Sequence, residues 1–169
     1  MKNTQLNHNQ HQGRYKKHPI CYLLDNIKTP MNVGSLFRVA DALGVERLYL
    51  SGTTPVPPNH KIKKTSRSTE KYVPFLVVDE PLLLVAELKA AGYTIIALEI
   101  SSQSVDIREL AISCDESVCL VLGSENAGIS PAMLRIADKT AHISMMGENS
   151  SMNVATACAI ATFEIARNF

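Results

Sequence analysis

Three separated stretches of this chain carry polar side chains where a plain α/β core needs none: Asn32-Val33-Gly34-Ser35-Leu36-Phe37-Arg38, Gly123-Ser124-Glu125-Asn126 and Ser151-Met152-Asn153-Val154-Ala155. Arg38 is the one basic residue in a largely apolar helical stretch. Such a residue either snorkels to solvent or offers a fixed fork of donors to a phosphate or ribose oxygen. Glu125 is either a rim carboxylate or an acceptor beside a ligand. Asn32, Ser151 and Asn153 are of the types that cap helix starts. The loop from Gly123 to Gly128 is either a structural turn or a place where backbone approaches a ligand closely, since glycine has no Cβ.

Familiar alternatives are missing. The chain holds no Gly-x-Gly-x-x-Gly fingerprint, no Gly-Lys-Ser/Thr loop and no Gly-x-Ser-x-Gly elbow. Cys21, Cys114, Cys119 and Cys158 form no paired metal-ligand spacing, and no His/Cys cluster appears, so no metal site is expected. Of the five histidines, His142 alone falls in the second half of the core, where a structural or rim role is expected.

The elements that must position these residues follow from periodicity. Residues 20–25 and 47–50 read as strands, and Val33, Leu36, Phe37, Ala40 and Leu43 recur at helical spacing between them, with Gly44 as the stop and Asn32 near the start as a cap. The stretch from Gly52 to Pro74 is Pro-rich and too irregular for a long helix. A helix is predicted over 81–91, strands over 93–98 and 116–122, a short helix to Ala137 after the Ser130-Pro131 cap, a strand over 139–144, and a small-residue helix over 151–163. Alternating strands and helices predict an α/β fold with a mainly parallel sheet covered on both faces. Ligands of such sheets sit beyond the carboxyl ends of strands, and all three polar stretches fall there.

At 169 residues and 46% hydrophobic, the chain is sized for one domain over 19–169 behind a polar arm over 1–18, so one fold must hold both cofactor and substrate. The arm lacks the apolar stretch of a signal peptide, no run is long enough to span a membrane, and three cysteines lie in apolar runs; a soluble protein of the reduced cytoplasm is expected. Net charge is only +1, but it is unevenly spread. Lys61, Lys63, Lys64, Arg67 and Lys71 against Glu70 give a net +4 over 61–71, and Lys2, Arg14, Lys16 and Lys17 give another +4 near the start. These segments are either solvated loops or a localised phosphate-binding surface.

With these motifs in order, the chain resembles the SpoU (TrmH-like) branch of the SPOUT RNA methyltransferases over about residues 19–167. Asn32-x-Gly34-x-x-x-Arg38, Gly123-x-Glu125-Asn126 and Ser151-Met152-Asn153-Val154-Ala155, approached through Ile143-Ser144-Met145-Met146-Gly147, carry the resemblance. It implies a C-terminal trefoil knot, an exception to the general absence of knots. It also implies S-adenosylmethionine as cofactor, a homodimer, and methylation of a ribose 2′-hydroxyl in transfer RNA, in the manner of compact members that act on the anticodon loop. Ribosomal RNA and a catalytically silent RNA-binding role are the alternatives. Carried onto this chain, cofactor contacts come from Leu122, Gly123, Ile143, Met145 and Met152. Arg38, Asn32, Glu125, Ser151 and Asn153 form the catalytic side. Local charge, rather than the resemblance, assigns Lys61, Lys63, Lys64, Arg67 and Lys71 to RNA phosphates. Ser144 stands where many relatives have proline, and Met152 and Ala155 where leucine and serine are frequent.

Overall fold

Alternate residues of β1 (His18–Asp25) turn to opposite faces of a sheet, and the two faces bury different sets. Ile20, Tyr22 and Leu24 enter one core cluster; Cys21 and Leu23 enter the other. Burial on both faces explains why β1 reads as an unbroken apolar run. The computed structural model describes residues 3–7, 10 and 16–169. The cations Lys2 and Arg14 and the histidines His8 and His11 of the expected arm lie outside the described residues.

The remaining strands are β2 (Val45–Ser51), β3 (Phe75–Val78), β4 (Tyr93–Leu98), β5 (Val105–Asp106), β6 (Ser117–Leu122) and β7 (Lys139–His142). They form one sheet in the order β3-β2-β1-β6-β4-β7-β5. Every ladder is parallel, beyond the mainly parallel sheet expected. The chain runs outward from β1 to β3, then crosses to the other half, where β7 inserts between β4 and β5.

Helices cover both faces. α1 (Pro30–Ala42) and α5 (Val154–Ala166) bury Val33, Leu36, Phe37, Ala155, Cys158 and Ala161 against the Tyr22 face. α3 (Pro81–Ala90) and α4 (Pro131–Ile136) bury Val85, Leu88 and Met133 against the Cys21 face. Thr162 is the polar exception within α5: its hydroxyl pairs with the Tyr22 hydroxyl at 2.6 Å, satisfying both buried groups. α2 (His60–Ser66) lies inside the Pro-rich excursion and packs on α1.

Several boundaries differ from expectation for identifiable reasons. α1 starts with Pro30 in its first turn, and Thr29 rather than Asn32 occupies the cap position. α5 starts at Val154, three residues later than expected, because Asn153 caps it by accepting from the N–H groups of Ala155 (2.9 Å) and Thr156 (3.3 Å); Ser151 precedes the cap. β7 stops at His142, so Ile143 and Ser144 belong to the following loop. Ser130 does cap α4, accepting from Met133 N–H at 3.2 Å. Cys21, Cys119 and Cys158 are buried free thiols; Cys114 is exposed.

Candidate active site

The carboxyl ends of β4, β6 and β7 open on a cleft of about 890 Å³, within the range typical of small-molecule sites. Leu122, Gly123, Ile143, Met145 and Met152 all line it, as do Glu125, Ser151 and Asn153. The floor comes from strand ends, one wall from the 123–128 loop and the other from the 143–153 loop that leads into α5.

The 123–128 loop is a tight turn closed by Gly128 N–H donating to Ser124 C=O at 2.8 Å. A Cβ on Gly123 would lie 2.5 Å from the backbone of Gly128 and Ile129, and Gly128 itself has φ +65°. Both positions therefore require glycine if the loop is to stay folded against the cleft. Beside Gly123, the Ser124 hydroxyl is buried without a hydrogen-bond partner among the described residues.

Hydrogen bonds join the three polar stretches. The Glu125 carboxylate accepts from the N–H groups of Lys28 (2.9 Å) and Thr29 (3.1 Å) and from Asn32 Nδ2 (2.7 Å). Asn153 Nδ2 then donates to Asn32 Oδ1 at 2.9 Å. Asn32, expected as a helix cap, instead stands between Glu125 and Asn153. Glu125 ties down the segment that leads into α1 and places a negative charge near the amino end of that helix, although it belongs to another loop. Desolvation pushes the Glu125 carboxyl up, but the donors from Lys28, its own backbone, Asn32 and Thr29 outweigh it and hold it down at about 2.

Arg38 lies elsewhere. It is exposed on α1, forms no hydrogen bond or ion pair with the described residues, and does not line the cleft. It stands one turn beyond Gly34, where α1 and α2 come so close that a Cβ on Gly34 would meet Thr65 Oγ1 at 2.1 Å and the Ile62 carbonyl oxygen at 2.4 Å. Lys61, Lys63 and Lys64 on α2, Arg67 at its end and Lys71 on the following turn are all exposed. Arg38 and these cations thus occupy neighbouring elements on one side of the sheet, apart from the cleft.

The cleft's chemistry is lopsided. Glu99 and Glu125 are among its lining residues, and no Lys or Arg is; Leu98, Leu122, Leu134, Ile143, Met145 and Met152 supply apolar surface. This set suits a ligand with positive charge and an aromatic or aliphatic body, and is wrong for a di- or triphosphate, which needs cations or a free helix amino end. His142 is on the rim, its Nδ1 paired with Ser104 Oγ at 3.0 Å. Glu99 was not among the residues singled out by sequence; its signal was a carboxylate directly after the apolar run of β4, at a strand's carboxyl end. Ser144 bonds Asp106, whose carboxylate also accepts from Arg108, and so ties the 143–153 loop to β5. Among the described residues there is no metal-ligating cluster and no helix long and apolar enough to cross a membrane.

Comparison with known proteins gives a consistent result. The model of the SpoU rRNA Methylase family matches residues 19–163. A tRNA (guanosine(18)-2′-O)-methyltransferase of Aquifex aeolicus is 35% identical over 144 residues, which cover 85% of this chain and 66% of that protein. An AdoMet-bound rRNA methyltransferase from Sinorhizobium meliloti superposes with a TM-score of 0.82 at 28% identity, covering 91% of this chain and 58% of that one. A structure described as giving insight into the 2-OH methylation of C/U34 on tRNA superposes with a TM-score of 0.75 at 25% identity, covering 89% of this chain and 97% of the other. The chain spans 57–66% of the length of the first curated relatives it matches.

Proposed function

The chain belongs to the SpoU rRNA methylase family, and from that premise we propose that it transfers a methyl group from S-adenosylmethionine to a ribose 2′-hydroxyl of transfer RNA, in the anticodon loop. The observation that carries this is the bonded series Glu125–Asn32–Asn153 at the mouth of a cation-free cleft. It holds two ligand-facing loops and the start of α1 in one fixed arrangement. Transfer RNA is favoured because the solved structure of matching compact size, 97% covered, concerns tRNA nucleotide 34, and because the Aquifex relative is named for tRNA. The family's own description names rRNA, which is the second reading.

The cleft residues fit the cofactor. Gly123 lines the cleft where the loop folds back on itself, Leu122, Ile143, Met145 and Met152 offer apolar surface, and the two glutamates favour a cation. When bound, S-adenosylmethionine supplies an electrophilic methyl group on a sulfonium. The chain's own residues orient and polarise the acceptor. The Arg38 guanidinium has five donors and no acceptor lone pair, so its role is to hold the ribose and a neighbouring phosphate and to favour the developing alkoxide. Lys61, Lys63, Lys64, Arg67 and Lys71 hold adjacent phosphates.

Arg38 lies outside its own chain's cleft, which supports a homodimer in which Arg38 of one subunit faces the cofactor site of the other. Ile160 and Phe163, exposed on α5 at 42% and 62%, offer an apolar surface for that interface. We extend the proposal to a trefoil knot formed by residues 123–166: the late strand β7 inserts between earlier strands, and α5 returns across the sheet to pack on α1. Buried free thiols at Cys21, Cys119 and Cys158 accord with action in the cytoplasm.

The test is transfer of labelled methyl from S-adenosylmethionine to purified transfer RNA and ribosomal RNA from cells lacking this gene, with the labelled nucleotide mapped. Label on a tRNA ribose is expected; label on rRNA alone moves the substrate to the second reading. Cofactor and RNA binding without transfer to either would identify a silent RNA-binding protein.

A further inference from the structure

Glu99 follows the last residue of β4, between the ends of β6 and β7, the strands that flank β4. Its half-buried side chain lines the cleft. One carboxylate oxygen, Oε1, accepts from Ile100 N–H at 3.0 Å, and the other, Oε2, accepts from Ile129 N–H at 3.0 Å. Gly128 approaches so closely that a Cβ there would lie 2.5 Å from Oε2. These contacts fix the carboxylate and tie the end of the 123–128 loop to β4.

They do not use it up. An ionised carboxylate offers about four lone-pair positions, and two N–H donors leave two of them free. No Lys or Arg lines the cleft to take them, and Glu99 forms no ion pair among the described residues. A fixed carboxylate with spare acceptor capacity at the carboxyl end of a parallel strand is suited to hydroxyl donors. In other open α/β sheets an acidic residue near the strand ends accepts from a nucleoside's ribose. A ribose with both hydroxyls free presents two O–H donors side by side, matching the two free positions. A nucleotide inside an RNA chain does not, because its 3′-oxygen is esterified.

We propose that Glu99 is the acceptor for the 2′- and 3′-hydroxyls of the adenosyl ribose, a binding residue outside the three polar motifs. This rests on the cofactor assignment made above. The carboxylate would then have two functions in one position: its N–H acceptor side shapes the glycine loop, and its open side recognises the sugar.

The test is a cycle that changes protein and ligand separately. Calorimetric binding is measured for wild type and Glu99→Gln with S-adenosylhomocysteine and with its 2′-deoxyribose counterpart. A hydrogen bond to a charged acceptor is worth roughly 10- to 100-fold in affinity. Wild type should therefore bind the deoxy ligand weaker by about that factor, whereas E99Q should bind the parent weaker and distinguish the two ligands by less than the wild type does. If E99Q does not fold, Glu99→Asp, which withdraws the carboxylate by one methylene, replaces it in the same cycle. Undiminished discrimination in the folded variant, or no discrimination in wild type, would overturn the role of Glu99 while leaving the cofactor assignment standing. Failure of wild type to bind S-adenosylhomocysteine would overturn both.

Discussion

Asn153 donates from Nδ2 to Oδ1 of Asn32 at 2.9 Å across 121 residues of sequence, and Asn32 donates in turn to Glu125. The amide of Asn32 is thus fixed in orientation from both sides, its nitrogen toward a carboxylate and its oxygen toward an amide donor. Asn153 simultaneously caps α5, so the helix start and the cleft wall are set by the same side chain.

Asn153→Ala removes both contacts. Loss of an N-cap costs about 1 kcal/mol, so a modest fall in melting temperature is expected, together with a larger loss of methyl transfer, on the order of 10-fold or more, from the misplaced 143–153 loop. Thermal unfolding and initial rates on the same preparation check this. Loss of activity in strict proportion to loss of folded protein would count against a positioning role.

Arg38→Ala should affect turnover alone. The side chain is exposed and bonds nothing among the described residues, so its removal should leave stability within about 0.5 kcal/mol. Turnover should be abolished while S-adenosylhomocysteine binds as before. Arg38→Lys should not restore activity, since a single ammonium cannot reproduce a planar two-pronged donor. Comparable turnover by wild type and R38A would remove Arg38 from the site.

Glu125 predicts a pH signature. Its carboxyl falls from 4.5 to about 2 in the folded chain, so the unfolded state binds this proton more readily than the folded one. Glu125 therefore adds stability that is fully present above about pH 4.5 and is lost as pH drops toward 2. Glu125→Gln cannot titrate. Denaturant unfolding of both proteins should show a stability gap that is flat from pH 6 to 8 and closes on acidification below 4.5; a gap that widens there would contradict the bonding described.

Much of the central sheet was readable because β1, β4 and β6 are buried on both faces and so appear as apolar runs. β3 was not, since this edge strand has only four residues, follows Pro74, and leaves Leu76 and Val77 exposed. β5, two residues long, carries no pattern at all. α2 hid inside a Pro-rich stretch, although Asn59 accepts from the N–H groups of Lys61 and Ile62 and caps it. At the site, residue types pointed to the three polar stretches, but not to their mutual bonding: Asn32 looked like a local cap because partners 93 and 121 residues away leave no local trace. Glu99 resembled an ordinary polar residue at a strand end for the same reason.

The basic surface predicts a salt effect. Replacing Lys61, Lys63, Lys64 and Arg67 together with Ala should weaken RNA binding and reduce the slope of log affinity against log salt by about 3, on the basis of roughly 0.7–0.9 per phosphate contact. Cofactor affinity should not change, because none of the four lines the cleft. An unaltered slope would show that other cations hold the RNA.

A shared site can be tested by mixing two inactive proteins. R38A retains an intact cleft, and Met145→Arg, which places a cation in a lining position of the cleft, retains an intact Arg38. Each homodimer should be inactive. After subunit exchange at equal amounts, about half the dimers are mixed, and each has one site combining the cleft of the first with Arg38 of the second, so activity should recover to about a quarter of wild type. If Arg38 instead serves the cleft of its own chain, no mixed dimer contains a complete site and mixing recovers nothing. Phe163→Glu, which puts a charge on the exposed face of α5, separates this from simple loss of association: sedimentation should show monomers that do not transfer methyl, and a fully active monomer would exclude the shared arrangement.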